Sequence, residues 1–266
     1  MNDQLKDNKN KFIVIKIGGS TLGETDSTIT DIVSIKNSGL YPVVIHGGGK
    51  LINEWVAKQG IMPEFVNGLR RTNKQTLDVA IAVLTGLINS ELVVEFQKLN
   101  QNAIGLSGLD GGILKASKKS SDLGYVGEIL ETDISSIKKI VKLDLIPIIA
   151  PAAINIYPNN KNDLILNINA DTAAGHIAKA LNAKKLIFQT DVPGIMDMKK
   201  RTIPHMTSNQ ASDLIASGVA IGGMIPKIQA CVFAIKNIGS GHIIDGRING
   251  SLNDCILGKK IGTKIS

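Results

Sequence analysis

Twice within the first fifty positions a short β-branched run stops at glycines. Lys11 to Ile17 (KFIVIKI) ends at Gly18-Gly19, and Pro42 to His46 (PVVIH) ends at Gly47-Gly48-Gly49. Runs this short and this evenly apolar suit strands buried on both faces. Each is followed by apolar residues at helical spacing: Ile29, Ile32, Val33 and Ile35 after the first, then Leu51, Ile52, Trp55 and Val56 after the second. This β-α-β-α order constrains the chain more than any other feature, because parallel strands need crossover helices and those helices cover the sheet.

The alternation continues. Thr72-Asn73-Lys74-Gln75 reads as a capping box that opens a long helix through Leu77, Ala80, Ile81, Leu84, Leu87 and Ile88. Ala103 to Leu106 is a strand, and Ile113 to Ser117 with Tyr125 to Glu131 reads as a hairpin. Helices are expected over 133–143, 171–181 and 224–236, and strands over 146–149, 185–189 and 242–245. Thr207-Ser208-Asn209-Gln210 is a second capping box. Neither a solenoid period nor a low-complexity linker interrupts the pattern. The expected fold is α/β: a three-layer αβα sandwich around a mostly parallel central sheet, one domain over residues 1–266.

Composition matters here for what it excludes. Among 266 residues, 43% are hydrophobic and 20% charged, the balance of an ordinary globule. Two cysteines, Cys231 and Cys255, give neither a disulfide framework nor metal spacing, and they suit a reducing compartment, so a cytoplasmic setting is expected. Polar residues interrupt every apolar run before about 18 residues, so no membrane span is expected. The polar start, MNDQLKDNKNKF, has no apolar core and is not a secretory signal. The net charge of +7 raises the question of nucleic acid, but 3% aromatic residues are poor material for stacking on bases. The lysine pairs at 118–119, 138–139, 184–185 and 199–200 are scattered and read as solvated surface.

In open α/β sheets ligands dock at the carboxyl ends of strands, and four segments there carry chemistry. Lys16-Ile17-Gly18-Gly19-Ser20 sets a fixed cation beside glycine N–H groups, which suits a phosphate; the alternative is a structural turn. His46-Gly47-Gly48-Gly49 allows close backbone approach and leads into a helix N-terminus, but a flexible loop would look the same. It matches no Walker A pattern, and no Gly-x-Gly-x-x-Gly occurs in the chain. His46, without neighbouring ligand residues, reads as a structural strand-end residue. Asn167-Ile168-Asn169-Ala170-Asp171 either caps a helix through Asn169 or Asp171, or presents Asn167 and Asp171 to a ligand and its cations. Gly222-Gly223-Met224-Ile225-Pro226-Lys227 puts a lysine in a helix first turn, which opposes the macrodipole unless an anion sits there too. Two lysines, three glycine turns and one aspartate, with no metal cage and no nucleophile triad, fit phosphoryl transfer.

These segments, in this order, resemble the amino-acid kinase superfamily, and within it the branch that phosphorylates N-acetyl-L-glutamate. The resemblance runs from Phe12 to Ile265 and rests on KIGGS at 16–20, HGGG at 46–49, FVNGLRRT at 65–72, GLSGLDGG at 105–112, GYVGEI at 124–129, LNINAD at 166–171, QTDVPGI at 189–195, GGMIPK at 222–227 and HIIDGR at 242–247. It implies transfer of the γ-phosphoryl group of ATP, with Mg2+ carried by the nucleotide, to the side-chain carboxylate of N-acetyl-L-glutamate, a step of arginine biosynthesis. By the same resemblance Lys16, Lys227 and Asp171 are catalytic. Gly48, Gly49, Arg70 and Asn167 bind the acceptor. Gly18, Gly19, Thr190, Asp191, Gly194, Ile195, Gly223 and Met224 lie at the nucleotide. No resident metal is implied. An N-terminal lobe of about residues 11–181 takes the acceptor and a C-terminal lobe of about 182–266 the nucleotide.

The chemistry is consistent with this. A carboxylate of pKa about 4.3 is ionised at pH 7 and needs no general base. The obstacle is repulsion between two anions, which lysines, a metal and aimed N–H dipoles relieve. Arg71, where relatives often have an apolar residue, and Asn73, where an acid is common, depart from the pattern, though helix capping is expected to survive because Asn caps as well as Asp. About eleven residues precede the first strand, and the C-terminal GKKIGTKIS lacks an acid expected beside an arginine pocket. A homodimer insensitive to arginine is therefore expected. The alternatives are a sister kinase acting on carrier-protein-bound aminoadipate or glutamate, which Asn67-Gly68-Leu69-Arg70 argues against, a non-catalytic nucleotide-binding regulator on the same fold, and a nucleic-acid binder, which no motif requires.

Overall fold

The computed structural model describes residues 11–18, 27–66, 68–161 and 163–266. The chain begins with β1 (Phe12–Ile17), α1 (Thr28–Asn37), β2 (Tyr41–His46), α2 (Gly49–Lys58), β3 (Phe65–Val66) and β4 (Leu69–Arg70). Then come α3 (Lys74–Ile81), a π-helical segment (Ala82–Ile88) and α4 (Asn89–Lys98), followed by β5 (Ala103–Ser107), β6 (Leu114–Lys118), β7 (Gly127–Thr132) and α5 (Ser135–Lys142). The remainder comprises β8 (Ile146–Ala150), β9 (Ala152–Asn155), β10 (Ile165–Asn167), α6 (Ala170–Leu181), β11 (Lys185–Thr190), β12 (His205–Met206), α7 (Ser208–Ala216), α8 (Met224–Ala234), β13 (Gly241–Asp245), α9 (Ser251–Ile256) and β14 (Thr263–Ile265). The expected α/β class and mostly parallel central strands are present.

The chain divides into two compact units, one of residues 1–44 and 174–266, the other of residues 45–173. It passes between them within β2 and within α6. The sequence-based lobes, 11–181 and 182–266, differ in placing residues 11–44 with the middle of the chain. Contacts group that segment with the C-terminal part, because β1 pairs in parallel with β11, Ile15 opposite Ile187.

In the first unit β1 pairs with β11 and β11 with β13, all parallel, while β14 runs antiparallel to β13 and pairs in parallel with β12. Every residue of β1 and β13 is buried. That is why their apolar residues run consecutively, Phe12 to Ile15 in β1 and Ile243-Ile244 in β13, rather than alternating. Each fully buried isoleucine contributes about 1.5–3 kcal/mol, and Ile13, Ile15 and Ile17 are all at 0% exposure. Helices α1 and α9 are tied by Asn253 Nδ2, which donates to Asp31 Oδ1 at 2.7 Å, and the backbone N–H of Gly250 donates to Ser27 Oγ at 2.8 Å.

In the second unit β5 and β8 pair in parallel. A separate four-stranded sheet has the order β10-β9-β6-β7, of which only β6–β9 is parallel. The β6–β7 hairpin was expected; β9, β10 and the β3–β4 hairpin were not.

Three local expectations change. The residue before α3 is the cap, not Thr72: Asn73 Oδ1 accepts from the Thr76 N–H at 2.8 Å, while the Thr72 hydroxyl donates elsewhere. The box at Thr207 and Gln210 forms as expected. Not all paired lysines are solvated surface. Lys185 donates to the Cys255 carbonyl and its pKa is lowered by burial, and Lys118 Nζ lies 2.8 Å from the buried Asp163 carboxylate. Finally, one continuous helical run, Lys74–Lys98, is long and apolar enough to cross a membrane by length and composition alone. Leu77, Ala80, Val83, Leu84, Ile88, Leu92 and Phe96 on it are buried within the fold, as in the core helix of a globular protein.

Candidate active site

In the unit of residues 45–173, β2 delivers His46 and the glycine turn to the start of α2. Gly48 occupies the N-cap position and offers no side-chain cap, and the first turn carries no acid. The first N–H groups of α2 are therefore open to an anion. Gly48 is closely approached: a Cβ there would lie 2.5 Å from Ile88 Cδ1 and 2.8 Å from Leu84 Cδ2, so a larger residue requires those side-chain ends to shift.

Arg70, on β4, reaches this helix start. Its Nη2 donates to the Gly49 carbonyl at 3.0 Å, and its guanidinium lies over the Phe65 ring, 4.8 Å from the centroid. The residue is only 9% exposed, and its Nη1 is buried with no hydrogen-bond partner. Burial lowers its pKa. A buried cation with an idle donor is costly until an anion meets it.

Asn167, at the end of β10, is joined to Arg70 through a residue the sequence reading did not single out. Asn167 Nδ2 donates to Thr72 Oγ1 at 3.2 Å, and Thr72 Oγ1 donates to the Arg70 carbonyl at 2.8 Å. Thr72 is at 0% exposure. The ambiguity over the start of α6 resolves in favour of Asn169: its Oδ1 accepts from the N–H groups of Asp171 and Thr172, each at 3.0 Å. The Asp171 side chain is thereby released from capping. It lies buried in the helix first turn, where a carboxylate also complements the macrodipole.

In the unit of residues 1–44 and 174–266, Lys16 sits near the carboxyl end of β1 at 7% exposure, and Gly18 follows, buried. Gly19 lies outside the described residues. A cavity of about 340 Å³ is lined by Thr190, Asp191, Gly194, Ile195, Gly223, Met224 and Lys227. All six nucleotide residues expected from QTDVPGI and GGMIPK thus share one cavity with one of the expected catalytic lysines. Its shape is held by local bonds. Thr190 Oγ1 lies 2.9 Å from the Val192 carbonyl, and the Ile195 N–H donates to Thr263 Oγ1 at 2.9 Å. Lys227 Nζ donates to the Gly223 carbonyl at 3.0 Å, one turn back along α8. Val192, within QTDVPGI, and Ala220 and Ile221, which no sequence motif announced, supply apolar lining.

Arg70, Thr72 and Asn167 are therefore brought together, as are the six cavity residues expected at the nucleotide; Gly18 is not among the cavity's lining. Thr72 was missed because T-x-x-Q resembles a cap; its place two residues after Arg70 in FVNGLRRT was the available signal.

Comparison with known proteins shows the family. The model of the amino acid kinase family matches residues 11–245. The acetylglutamate kinase of Thermoanaerobacter pseudethanolicus is 43% identical over 91% of this chain and 82% of its own length. That of Dehalococcoides mccartyi is 40% identical over 90% of this chain and 88% of its own. Among solved structures, smu.665 from Streptococcus mutans superposes with a TM-score of 0.83 at 27% identity, covering 96% of this chain and 98% of that one.

Proposed function

This chain belongs to the amino acid kinase family, and from that premise we propose that it is an ATP-dependent N-acetyl-L-glutamate kinase of arginine biosynthesis. The acceptor's side-chain carboxylate oxygen attacks the γ-phosphorus of ATP, the bond to the β,γ-bridging oxygen breaks, and ADP leaves. The products are N-acetyl-L-glutamyl 5-phosphate and ADP.

One observation carries the acceptor assignment: the idle, buried Nη1 of Arg70 beside the open start of α2. Arg70 and Asn167 hold the acceptor's α-carboxylate, a task for which a forked guanidinium is better suited than an ammonium. The N–H groups of Gly48 and Gly49 face the anionic reacting groups. Residues 45–173 supply these acceptor contacts.

Residues 1–44 and 174–266 supply the nucleotide contacts: Thr190, Asp191, Gly194, Ile195, Gly223 and Met224 around the cavity, with Gly18 and Gly19 at the phosphates. Lys16 and Lys227 neutralise the transferring phosphoryl group, and Asp171 balances their charge. Mg2+ enters with ATP and lowers the charge of the polyphosphate. No group on the protein need remove a proton, because the acceptor arrives ionised. The protein acts as a cytoplasmic homodimer. Coupled ADP release with free N-acetyl-L-glutamate, set against carrier-bound aminoadipate, tests the assignment; sedimentation tests the dimer.

A further inference from the structure

His46 and Asn89 are buried, at 0% and 3% exposure, and no step above uses either. His46 Nδ1 lies 3.1 Å from the Gly47 carbonyl, and its Nε2 lies 3.3 Å from Asn89 Nδ2. A carbonyl accepts only, so Nδ1 carries the proton and Nε2 is the bare nitrogen that accepts from the amide. Asn89 Nδ2 has two hydrogens for three acceptors: one goes to the Leu106 carbonyl at 2.8 Å on β5, and the other is shared between His46 Nε2 at 3.3 Å and the Ile148 carbonyl at 3.2 Å on β8. Gly105 makes room for it: a Cβ there would overlap Asn89 Oδ1.

The consequence lies in the next peptide. The Gly47–Gly48 peptide is planar and trans, so the Gly47 C=O and the Gly48 N–H point in opposite directions. Fixing the carbonyl toward His46 aims the Gly48 N–H away from it. The π-helical segment sets the phase. Its i→i+5 spacing puts Leu84 and Asn89 one turn apart on a shared face, whereas in an α-helix they would diverge by about 140°. Leu84 and Ile88 occupy the space a side chain at Gly48 would take, while Asn89 lies against His46.

We propose that Asn89 is a positioning residue, acting through His46 to aim the Gly48 N–H, with the π-helical segment as the device that brings it to the turn. The proposal rests on the kinase reading above and deepens it.

The test uses the full chain. Asn89→Leu lowers kcat about 10–100-fold, the range typical of residues that orient a group next to the reacting one, while the KM for MgATP stays within twofold. Gly105→Ala, which crowds Asn89 without removing it, gives a kcat loss of the same kind. Long-range ¹⁵N correlation spectra of the wild-type His46 ring show a protonated Nδ1 and a bare Nε2. A folded Asn89→Leu with a lower unfolding midpoint but kcat within twofold of wild type would make the amide structural only and overturn the proposal. If Asn89→Leu does not fold, the spectrum and Gly105→Ala decide, and a protonated Nε2 overturns it. Absence of wild-type turnover on N-acetyl-L-glutamate strikes the kinase reading instead, while the ring spectrum still tests the geometry.

Discussion

Asn167 donates its side-chain amide to the Thr72 hydroxyl at 3.2 Å, joining residues 95 positions apart, and Thr72 passes the bond on to the Arg70 carbonyl. The two proposed acceptor contacts are thus one hydrogen-bonded unit. Thr72→Val keeps the shape but leaves the buried Arg70 carbonyl and the half-buried Asn167 amide without this partner. It costs about 1–3 kcal/mol of stability and raises the KM for N-acetyl-L-glutamate about tenfold with the KM for ATP unchanged. Thr72→Ser restores most of both. Steady-state kinetics on each substrate, with urea unfolding, checks this.

Arg70 is the buried cation of the proposed acceptor site. Arg70→Lys retains the charge and loses the fork, so kcat/KM for the acceptor falls about 100-fold, in line with the 2–5 kcal/mol cost of breaking a buried charged pair. Nucleotide binding measured by calorimetry is unaffected.

Lys227 lines the cavity proposed to hold the nucleotide. Lys227→Ala lowers kcat about 10²–10³-fold, the loss seen on removing one donor that stabilises transition-state charge. ADP affinity changes much less than kcat. Equal losses in both would make Lys227 a ground-state binding residue.

The fold carries its own acid sensitivity. Burial pushes His242 down to about 3 and His176 down to about 4, with nearby lysines adding to each shift. Both folded-state values lie below the unfolded value of 6.5, so the unfolded chain binds protons that the folded chain refuses. Their stabilising contribution is full above pH 6.5 and is lost as pH falls towards 4 and 3. Each histidine removes up to about 1.4 kcal/mol per pH unit in that window. Urea midpoints at pH 7 and pH 5 show the fall, and His242→Gln flattens it.

The central strands were legible in sequence because burial on both faces writes them with consecutive apolar residues, FIVI in FIVIKI and LIF in KLIFQT. The short strands were not. Ala152–Asn155 has one β-branched residue and Phe65–Val66 only two positions, so pairing partners, not propensity, define them. The site was legible wherever glycines mark a turn. It was illegible where a residue acts through a neighbour: Thr72 matched a helix cap, and Asn89 lies inside an apolar helix with nothing local to mark it. The boundary between the units also escaped, since β1 joins β11 across more than 160 residues of chain.

The most direct test of the central claim is acyl-phosphate formation, trapped with hydroxylamine, from MgATP and a panel of carboxylate acceptors. Hydroxamate from free N-acetyl-L-glutamate, absent in Arg70→Ala and Lys227→Ala, is the predicted result. Turnover only with carrier-bound aminoadipate or glutamate, or none with any acceptor, would contradict it.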